Sequence, residues 1–128
     1  MQAAAAAGDT SAPLWVACLC AAWCVACREW QPVFQELARR RPDLRFAWVD
    51  IEDDDDAMGD VDIETFPTLL VARGHDALFL GPVLPSASGV ERLVTSLQAQ
   101  AQPGTSVTPA AKALLARLQS GVLARTAL

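Results

Sequence analysis

The chain has 128 residues, 52% of them apolar, and a formal net charge of -5 at pH 7. This length predicts one domain with a sizeable core, and the acidic balance argues against nucleic acid or an anionic membrane as a partner. The N-terminus lacks a positively charged segment, and the apolar stretch 14–22 is too short to cross a bilayer. We therefore expect a cytoplasmic protein without membrane insertion, although a periplasmic chain trimmed of its signal peptide would look the same.

The first half of the chain predicts a strand–helix–strand unit. After an Ala-rich arm at residues 1–12, which we expect to be disordered, the apolar run 14–20 has the length of a strand buried on both faces. A helix that contains Pro32 should follow over 24–40, and a second strand over 44–51. Such a unit is almost always parallel and right-handed. The apolar stripe of the predicted helix consists of Trp30, Val33, Phe34 and Leu37.

The next segment predicts a short helix and a hairpin. The acidic run 53–56 opens a helix that reaches Val61, and its carboxylates indicate a solvated face because the spaced ligands and central Gly of a calcium loop are missing. Strands over 68–72 and 77–80 flank a turn. That turn contains His75, the only histidine of the chain, which we expect to be too far from the cysteines to act as a general base.

Two longer helices complete the chain. Ser88 has the spacing of a capping box and starts a helix that ends near Ala101. Thr108, which is followed by Pro, caps a last helix that reaches about Gln119 and is stopped by Gly121. The apolar face of this last helix is formed by Ala111, Leu114, Leu115, Leu118 and Val122.

All four cysteines lie within residues 18–27, and this clustering favours redox or metal chemistry over structural disulfides. In Trp23-Cys24-Val25-Ala26-Cys27 the two thiols are three positions apart at the start of a predicted helix, where their sulfurs can reach bonding distance. The helix dipole favours the thiolate form of Cys24, so we predict that Cys24 attacks and Cys27 resolves. A c-type haem site would need a His after Cys27, and a zinc ribbon would need a second C-x-x-C; neither is present.

The arrangement resembles the thioredoxin family over residues 14–102. The Trp-Cys-x-x-Cys motif ends a buried strand, Pro32 stands five residues after the second cysteine, and Phe66-Pro67-Thr68 is similar to the family's cis-proline segment before a strand. The residues around the motif also resemble the C-terminal thioredoxin-like domain of the bacterial transmembrane thiol transporter. The resemblance implies a three-layer α/β/α fold with a mixed, roughly four-stranded sheet. The implied strand order is 44–51, 14–20, 68–72, 77–80, with the last strand antiparallel.

The resemblance also implies a function, protein thiol–disulfide exchange. Cys24 would attack a substrate disulfide and Cys27 would release the product, with no cofactor beyond this dithiol. A cis Pro67 would lie against the dithiol, and the backbone of Phe66 would pair with an extended substrate segment. The residues that would support substrate binding are Trp23, Val25, Ala26, Phe66 and Pro67.

The implied partners are protein disulfides and an electron donor similar to thioredoxin reductase or to the thiol transporter, and a monomer is expected. Two alternatives remain open at this stage. The chain could be a binding module that retains the fold without catalysis, or a disulfide carrier dedicated to one partner.

The sequence departs from the family pattern at several positions. Cys18 stands where members usually have a buried Asp, and Trp48 stands where they usually have a Lys. The dipeptide Val25-Ala26 replaces Gly-Pro, and we expect a reducing or intermediate redox potential. The first strand and helix of the usual fold are missing, which would leave the strand 44–51 as an exposed edge. We expect a domain over 13–102, then a linker and an extra C-terminal helix packed on it over 103–128.

Cys18 and Cys20 lie two positions apart on a strand and therefore point to the same face. The simplest interpretation is that both are small buried hydrophobic residues. A second interpretation is disulfide exchange with the pair Cys24–Cys27, which would make a relay. A third is a zinc or iron–sulfur site formed by the four thiolates, which a strand and a helix start could provide only with distortion.

Overall fold

The computed structural model describes residues 13–59, 61, 63–99 and 108–128. In chain order the elements are β1 (Leu14–Cys20), α1 (Val25–Arg40), β2 (Arg45–Asp50), α2 (Asp55–Met58), β3 (Thr68–Arg73), β4 (Asp76–Pro82), α3 (Ala87–Gln98), α4 (Pro109–Arg117), a π-helical segment Leu118–Val122 and α5 (Leu123–Thr126). The arm expected over 1–12, the predicted helix end at Ala101 and the start of the linker fall outside the described residues.

The four strands form one sheet in the predicted order β2-β1-β3-β4. β1 and β2 are parallel, with Cys20 beside Asp50. The strand that runs against the others is β3, which is antiparallel to both β1 and β4; the sequence had predicted an antiparallel orientation for the last strand only. The reason is that β3 begins beside Leu19, where β1 ends, and the tight turn after β3 then reverses the chain again.

One face of the sheet is covered by α1 and α3. Side chains of α1 and α3 interlock with those of the strands to form the larger part of the core. Phe34, which is fully buried, contacts the rings of Phe46 and Trp48 with centroids 5.3 and 5.8 Å away. Val33, expected in the buried stripe, is 38% exposed, because the buried positions of α1 follow a narrower stripe. The buried residues of α1 are Cys27, Trp30, Phe34 and Leu37.

The opposite face of the sheet is covered by the short helix α2 and by the C-terminal helices. Small and branched side chains of the strands meet a row of leucines there. Among the described residues, these two helical layers and the sheet make the three-layer α/β/α arrangement that the sequence predicts. The buried leucines of the C-terminal helices are Leu114, Leu115, Leu118 and Leu123.

The C-terminal helices differ in detail from the single helix predicted. Thr108 caps α4 by accepting a hydrogen bond from Ala111 N, as expected. The helix does not simply stop at Gly121: that residue has φ 151° inside the π-helical segment, and a further turn follows. After this break Leu123 is buried, whereas Val122, expected on the apolar face, is only half-buried.

The outer edge of β2 is partly covered by the last residues of the chain. Ala127 forms an antiparallel bridge with Ala47, and Leu128 N donates to Phe46 O over 2.9 Å. The edge that the sequence predicts to be exposed is therefore paired at these positions, which is one of the ways in which proteins protect sheet edges.

The N-terminus of α3 also differs from the prediction. Its cap is Ser86, whose hydroxyl accepts from Gly89 N over 3.2 Å, so Ser88 lies inside the helix. Asx and hydroxyl side chains both serve as caps, and two serines two positions apart made the choice ambiguous. Among the residues described, no helix is long and apolar enough to cross a membrane.

Candidate functional site

Cys24 occupies the N-cap of α1. Its N–H donates to Ala21 O over 3.0 Å, and its carbonyl accepts from Arg28 N over 3.1 Å. The thiol makes no capping bond, is free and is partly exposed. The side chain predicted to attack is therefore at the positive end of a helix and can be reached from solution.

Cys27 lies one turn further along and is only 1% exposed. It forms a disulfide with Cys20, with the two Cα atoms 5.9 Å apart. The pair predicted from the sequence was Cys24–Cys27, whereas in this structure Cys27 is bonded to the last residue of β1 and Cys24 is free. The structure thus bonds Cys27 to Cys20 and places Cys24 at the N-cap of the helix that contains Cys27.

Cys18 lies next to Cys20 in the core. It is fully buried, and its Sγ lies 3.7 Å from Cys20 Sγ. Because the Cys20 sulfur in a disulfide carries no hydrogen, Cys18 is the donor in this contact. Burial raises the pKa of the Cys18 thiol to about 12, although interaction with the Trp30 indole favours the thiolate to a smaller extent. Cys18 is therefore a neutral thiol at physiological pH.

The pKa of Cys18 predicts how stability changes in alkali. In the unfolded chain this thiol loses its proton near pH 9, whereas in the folded chain it keeps it up to about pH 12. The unfolded state gains from deprotonation in this window, so the reduced protein should lose roughly 1.4 kcal/mol per pH unit above pH 9. Urea unfolding of the reduced wild type and of Cys18→Ala between pH 8 and 10.5 measures the difference. Equal slopes in the two proteins would contradict the buried, neutral thiol.

The loop before β3 lies against the motif. The Phe66–Pro67 peptide bond is cis, as predicted, and Pro67 is buried. The rings of Phe66 and Trp23 meet edge to face with centroids 5.5 Å apart. Trp23 Nε1 also donates to Glu52 Oε2 over 2.7 Å. These contacts fix the indole between two loops.

The surface next to Cys24 is apolar. Trp23 is 60% exposed and Val25 is 58% exposed, and Ala26 is exposed too. Exposed large apolar side chains grouped at one place indicate a surface that contacts another molecule. All residues predicted for substrate binding are thus near the motif, either in it or in the cis-proline loop.

A cavity of about 400 Å³ borders Cys27. Its lining includes Trp48, Asp50 and Arg125. A cavity of this size with charged walls can hold water. Asp50 and Arg125 were not recognised in the sequence; the signal for Asp50 is its place at the end of β2, next to the end of β1 that contains Cys20.

Metal binding has no support among the residues that the structure describes. No group of three or more His, Cys, Asp or Glu there is arranged to hold a metal ion. His75 is exposed in the turn between β3 and β4, where its Nδ1 lies 3.0 Å from Gln119 Oε1. It belongs to the contact between the hairpin and the C-terminal helices.

Comparison with known proteins identifies the family of the chain. The family model described as Thioredoxin matches residues 7–81. An H-type thioredoxin of Picea mariana is 32% identical over 90 residues, 70% of this chain and 71% of the relative. Thioredoxin 2 of Streptomyces coelicolor is 36% identical over 69 residues, 53% of this chain. The chain spans only 52% of the length of that relative.

Solved structures show the same fold. Fasciola hepatica thioredoxin superimposes with a TM-score of 0.60 at 22% identity, covering 69% of this chain and 84% of the other. Thioredoxin f2 of Chlamydomonas reinhardtii gives a TM-score of 0.61 at 19% identity, covering 73% and 86%. The resemblance of the motif to the thiol transporter domain stays a prediction. The family match over more than half of the chain and the Picea relative show that this protein belongs to the thioredoxin family of thiol–disulfide oxidoreductases.

Proposed function

We propose that the chain reduces protein disulfides, with Cys24 as the nucleophile and Cys27 as the resolving thiol. The observation that supports this most directly is the combination of an accessible thiol at a helix N-terminus with a buried cysteine three residues later that already takes part in a disulfide. The chemistry uses the cysteines alone and needs no further cofactor.

The reaction has two exchange steps. The Cys24 thiolate attacks one sulfur of the substrate disulfide, a mixed disulfide forms, and the other substrate sulfur leaves as a thiolate. The Cys27 thiolate then attacks Cys24 Sγ, and the second substrate thiolate leaves. Cys27 must be reduced before this cycle starts, so the disulfide with Cys20 has to open first.

Proton transfer from Cys27 requires a path in this chain, because Cys18 stands at the position of the family's usual buried Asp and is itself a neutral thiol. The cavity beside Cys27 offers one. Water in it would connect the Cys27 sulfur with Asp50, whose carboxylate also borders the cavity. Asp50 Oδ1 accepts from Glu52 N over 2.8 Å, which holds the carboxylate in place.

The substrate segment would lie across the apolar surface between the motif and the cis-proline loop. The backbone of Phe66 would pair with an extended peptide, while Trp23 and Val25 would contact its side chains. The electron donor would be a protein similar to thioredoxin reductase or to a thiol transporter. We further propose a monomer that acts in the cytoplasm, with the periplasm as the alternative compartment.

An insulin reduction assay tests the proposed function. With dithiothreitol as the donor, the wild-type chain should precipitate insulin well ahead of dithiothreitol alone. A chain that folds, binds oxidised insulin and gives no acceleration would instead be a binding module. A chain that exchanges disulfides with only one partner from a set of several would be a dedicated carrier.

Trp23→Ala tests the surface independently of the thiols. Removing an indole held at the centre of a contact surface should cost more than about 1 kcal/mol of binding, which is roughly a fivefold increase in KM for insulin. Reduction of a small aromatic disulfide, which does not reach across this surface, should change less than twofold. Leu128→Ala is the matched control, since Leu128 is 51% exposed at the edge of β2. An equal loss of activity toward insulin and the small disulfide would mean that Trp23 holds the cis-proline loop in place and does not contact the protein substrate.

A further inference from the structure

We propose that Cys20 is a third redox-active cysteine, and that Cys27 alternates between two disulfides, one with Cys24 at the surface and one with Cys20 in the core. This inference rests on the proposed function, in which substrate oxidises the pair Cys24–Cys27. It adds an internal exchange step that moves the disulfide from the surface to the interior and back.

The positions of the three cysteines permit exchange at the sulfur of Cys27. Cys20 and Cys27 are bonded, with a Cα separation of 5.9 Å. Cys24 is the N-cap of the helix in which Cys27 occupies the first turn, so the same Cys27 sulfur is within reach of Cys24 as well. Cys24 also packs against the core cluster that contains the other two cysteines.

The two proposed disulfides differ in how accessible they are to a protein partner. Cys20 and Cys27 are each 1% exposed, so a protein partner cannot attack their disulfide directly. Cys24 is partly exposed and free. An incoming protein therefore exchanges electrons with the core disulfide only through Cys24.

The exchange step is balanced without an external oxidant. The Cys20 thiolate attacks Cys27 Sγ, the Cys20–Cys27 bond forms, the Cys24–Cys27 bond breaks, and the electron pair leaves on Cys24. Cys24 takes up a proton from solvent and Cys20 has given one up, so neither protons nor electrons are gained or lost overall. The reverse step returns the disulfide to the surface.

Cys18 favours the reverse step, because in that step Cys20 leaves as a thiolate and Cys18 contacts the Cys20 sulfur. A thiolate at Cys20 would be buried, which is costly without a donor. Cys18 Sγ lies 3.7 Å away and points its S–H at Cys20, as argued above. Cys18 is thus a positioning residue for Cys20, and its thiol replaces the water that an exposed thiolate would have.

Disulfide mapping distinguishes the two pairings because of where proteases cut this sequence. Trypsin leaves all four cysteines in the peptide 1–28, since Arg28 is the first basic residue. Chymotrypsin cuts additionally after Leu19 and Trp23. A Cys24–Cys27 disulfide then stays within the peptide 24–28, whereas a Cys20–Cys27 disulfide joins that peptide to the peptide 20–23.

The experiment oxidises the reduced full chain with an excess of oxidised glutathione, quenches samples in acid over time, alkylates free thiols and maps the peptides. We expect Cys24–Cys27 to form first and then convert to Cys20–Cys27, with Cys24 becoming alkylatable again. In Cys20→Ala, Cys24–Cys27 should be the final product. In Cys24→Ser, Cys20–Cys27 should form at least about tenfold more slowly, because the accessible entry thiol is gone.

Two results would overturn the inference. One is a wild type in which Cys24–Cys27 persists and Cys20 is always alkylated. The other is Cys20–Cys27 forming equally fast without Cys24, which would make it a structural disulfide. Cys18→Ala removes the donor to Cys20, so it should still form both disulfides but with a larger share of Cys20–Cys27 than the wild type. Insulin turnover is measured separately: turnover without internal exchange defeats only this inference, and exchange without turnover defeats only the proposed function.

Discussion

Cys24→Ser is expected to lower insulin reduction to less than about one hundredth of the wild-type rate, because an alcohol is not ionised near neutral pH and cannot attack a disulfide. Cys24 is the only one of the four cysteines that is not buried. No other thiol can replace it for a protein substrate. The measurement is insulin turnover under dithiothreitol, with circular dichroism to show that the variant is folded.

Cys27→Ser should behave differently and provides the matched comparison. The first attack is intact, but the mixed disulfide between Cys24 and the substrate can no longer be resolved. Mass spectrometry should therefore show substrate covalently held at Cys24 after the oxidised substrate is added. If Cys27→Ser turns over insulin normally, or if Cys24→Ser traps substrate in its place, then the roles of the two thiols are reversed.

Deletion of residues 105–128 is expected to have the largest effect on stability. It uncovers the second face of the sheet, on which four leucines of the C-terminal helices are buried. At about 2 kcal/mol for each buried leucine, roughly 8 kcal/mol of burial is lost before the ordering entropy of the helices is subtracted. That is comparable with the whole stability of a typical domain. We expect loss of the cooperative thermal transition, or a Tm lower by at least about 10 °C.

Point variants make this prediction independent of the deletion. Leu118 is fully buried, and Leu118→Ala should cost about 2–5 kcal/mol. Lys112→Ala, on the exposed side of the same helix, should change stability by less than about 0.5 kcal/mol. Calorimetry of the wild type, Leu118→Ala and Lys112→Ala measures these differences in stability. If the chain without residues 105–128 melts at the same temperature as the wild type, the C-terminal helices contribute no net stability.

The fold could be predicted from the sequence where one signal is strong and local. A continuous apolar run, a Pro after a cap and a Gly in a hairpin turn each determine short-range structure, so the strands and longer helices were predicted, whereas the correct strand order came from the resemblance to the thioredoxin family. The boundaries were less accurate. Ser86 and Ser88 are both suitable caps, and the break at Gly121 depends on which leucines the sheet face can accommodate.

The site was predictable in its residue types but not in its pairing. Cys24 and Cys27, three positions apart at the start of a helix, share one face of that helix. Cys18 and Cys20, two positions apart on a strand, share one face of the sheet. Which sulfurs bond depends on the distance between the end of a strand and the first turn of a helix, and that distance is set by the whole packing of α1 on the sheet. For the same reason Asp50 and Arg125, far apart in the sequence, could not be assigned to one cavity in advance.

The C-terminal helices contribute to the surroundings of Cys27 as well as to the core of the protein. Arg125 and Thr126 form part of the wall of the cavity beside Cys27, and Arg125 is paired with Asp54. Arg117 donates to the carbonyls of Ala57 and Met58 over 2.6 and 3.0 Å, which ties α4 to α2. The segment that stabilises the sheet therefore also forms part of the wall beside the buried Cys27. Removing a part of the chain that contains no cysteine would thus open the surroundings of this sulfur as well as uncover the second face of the sheet.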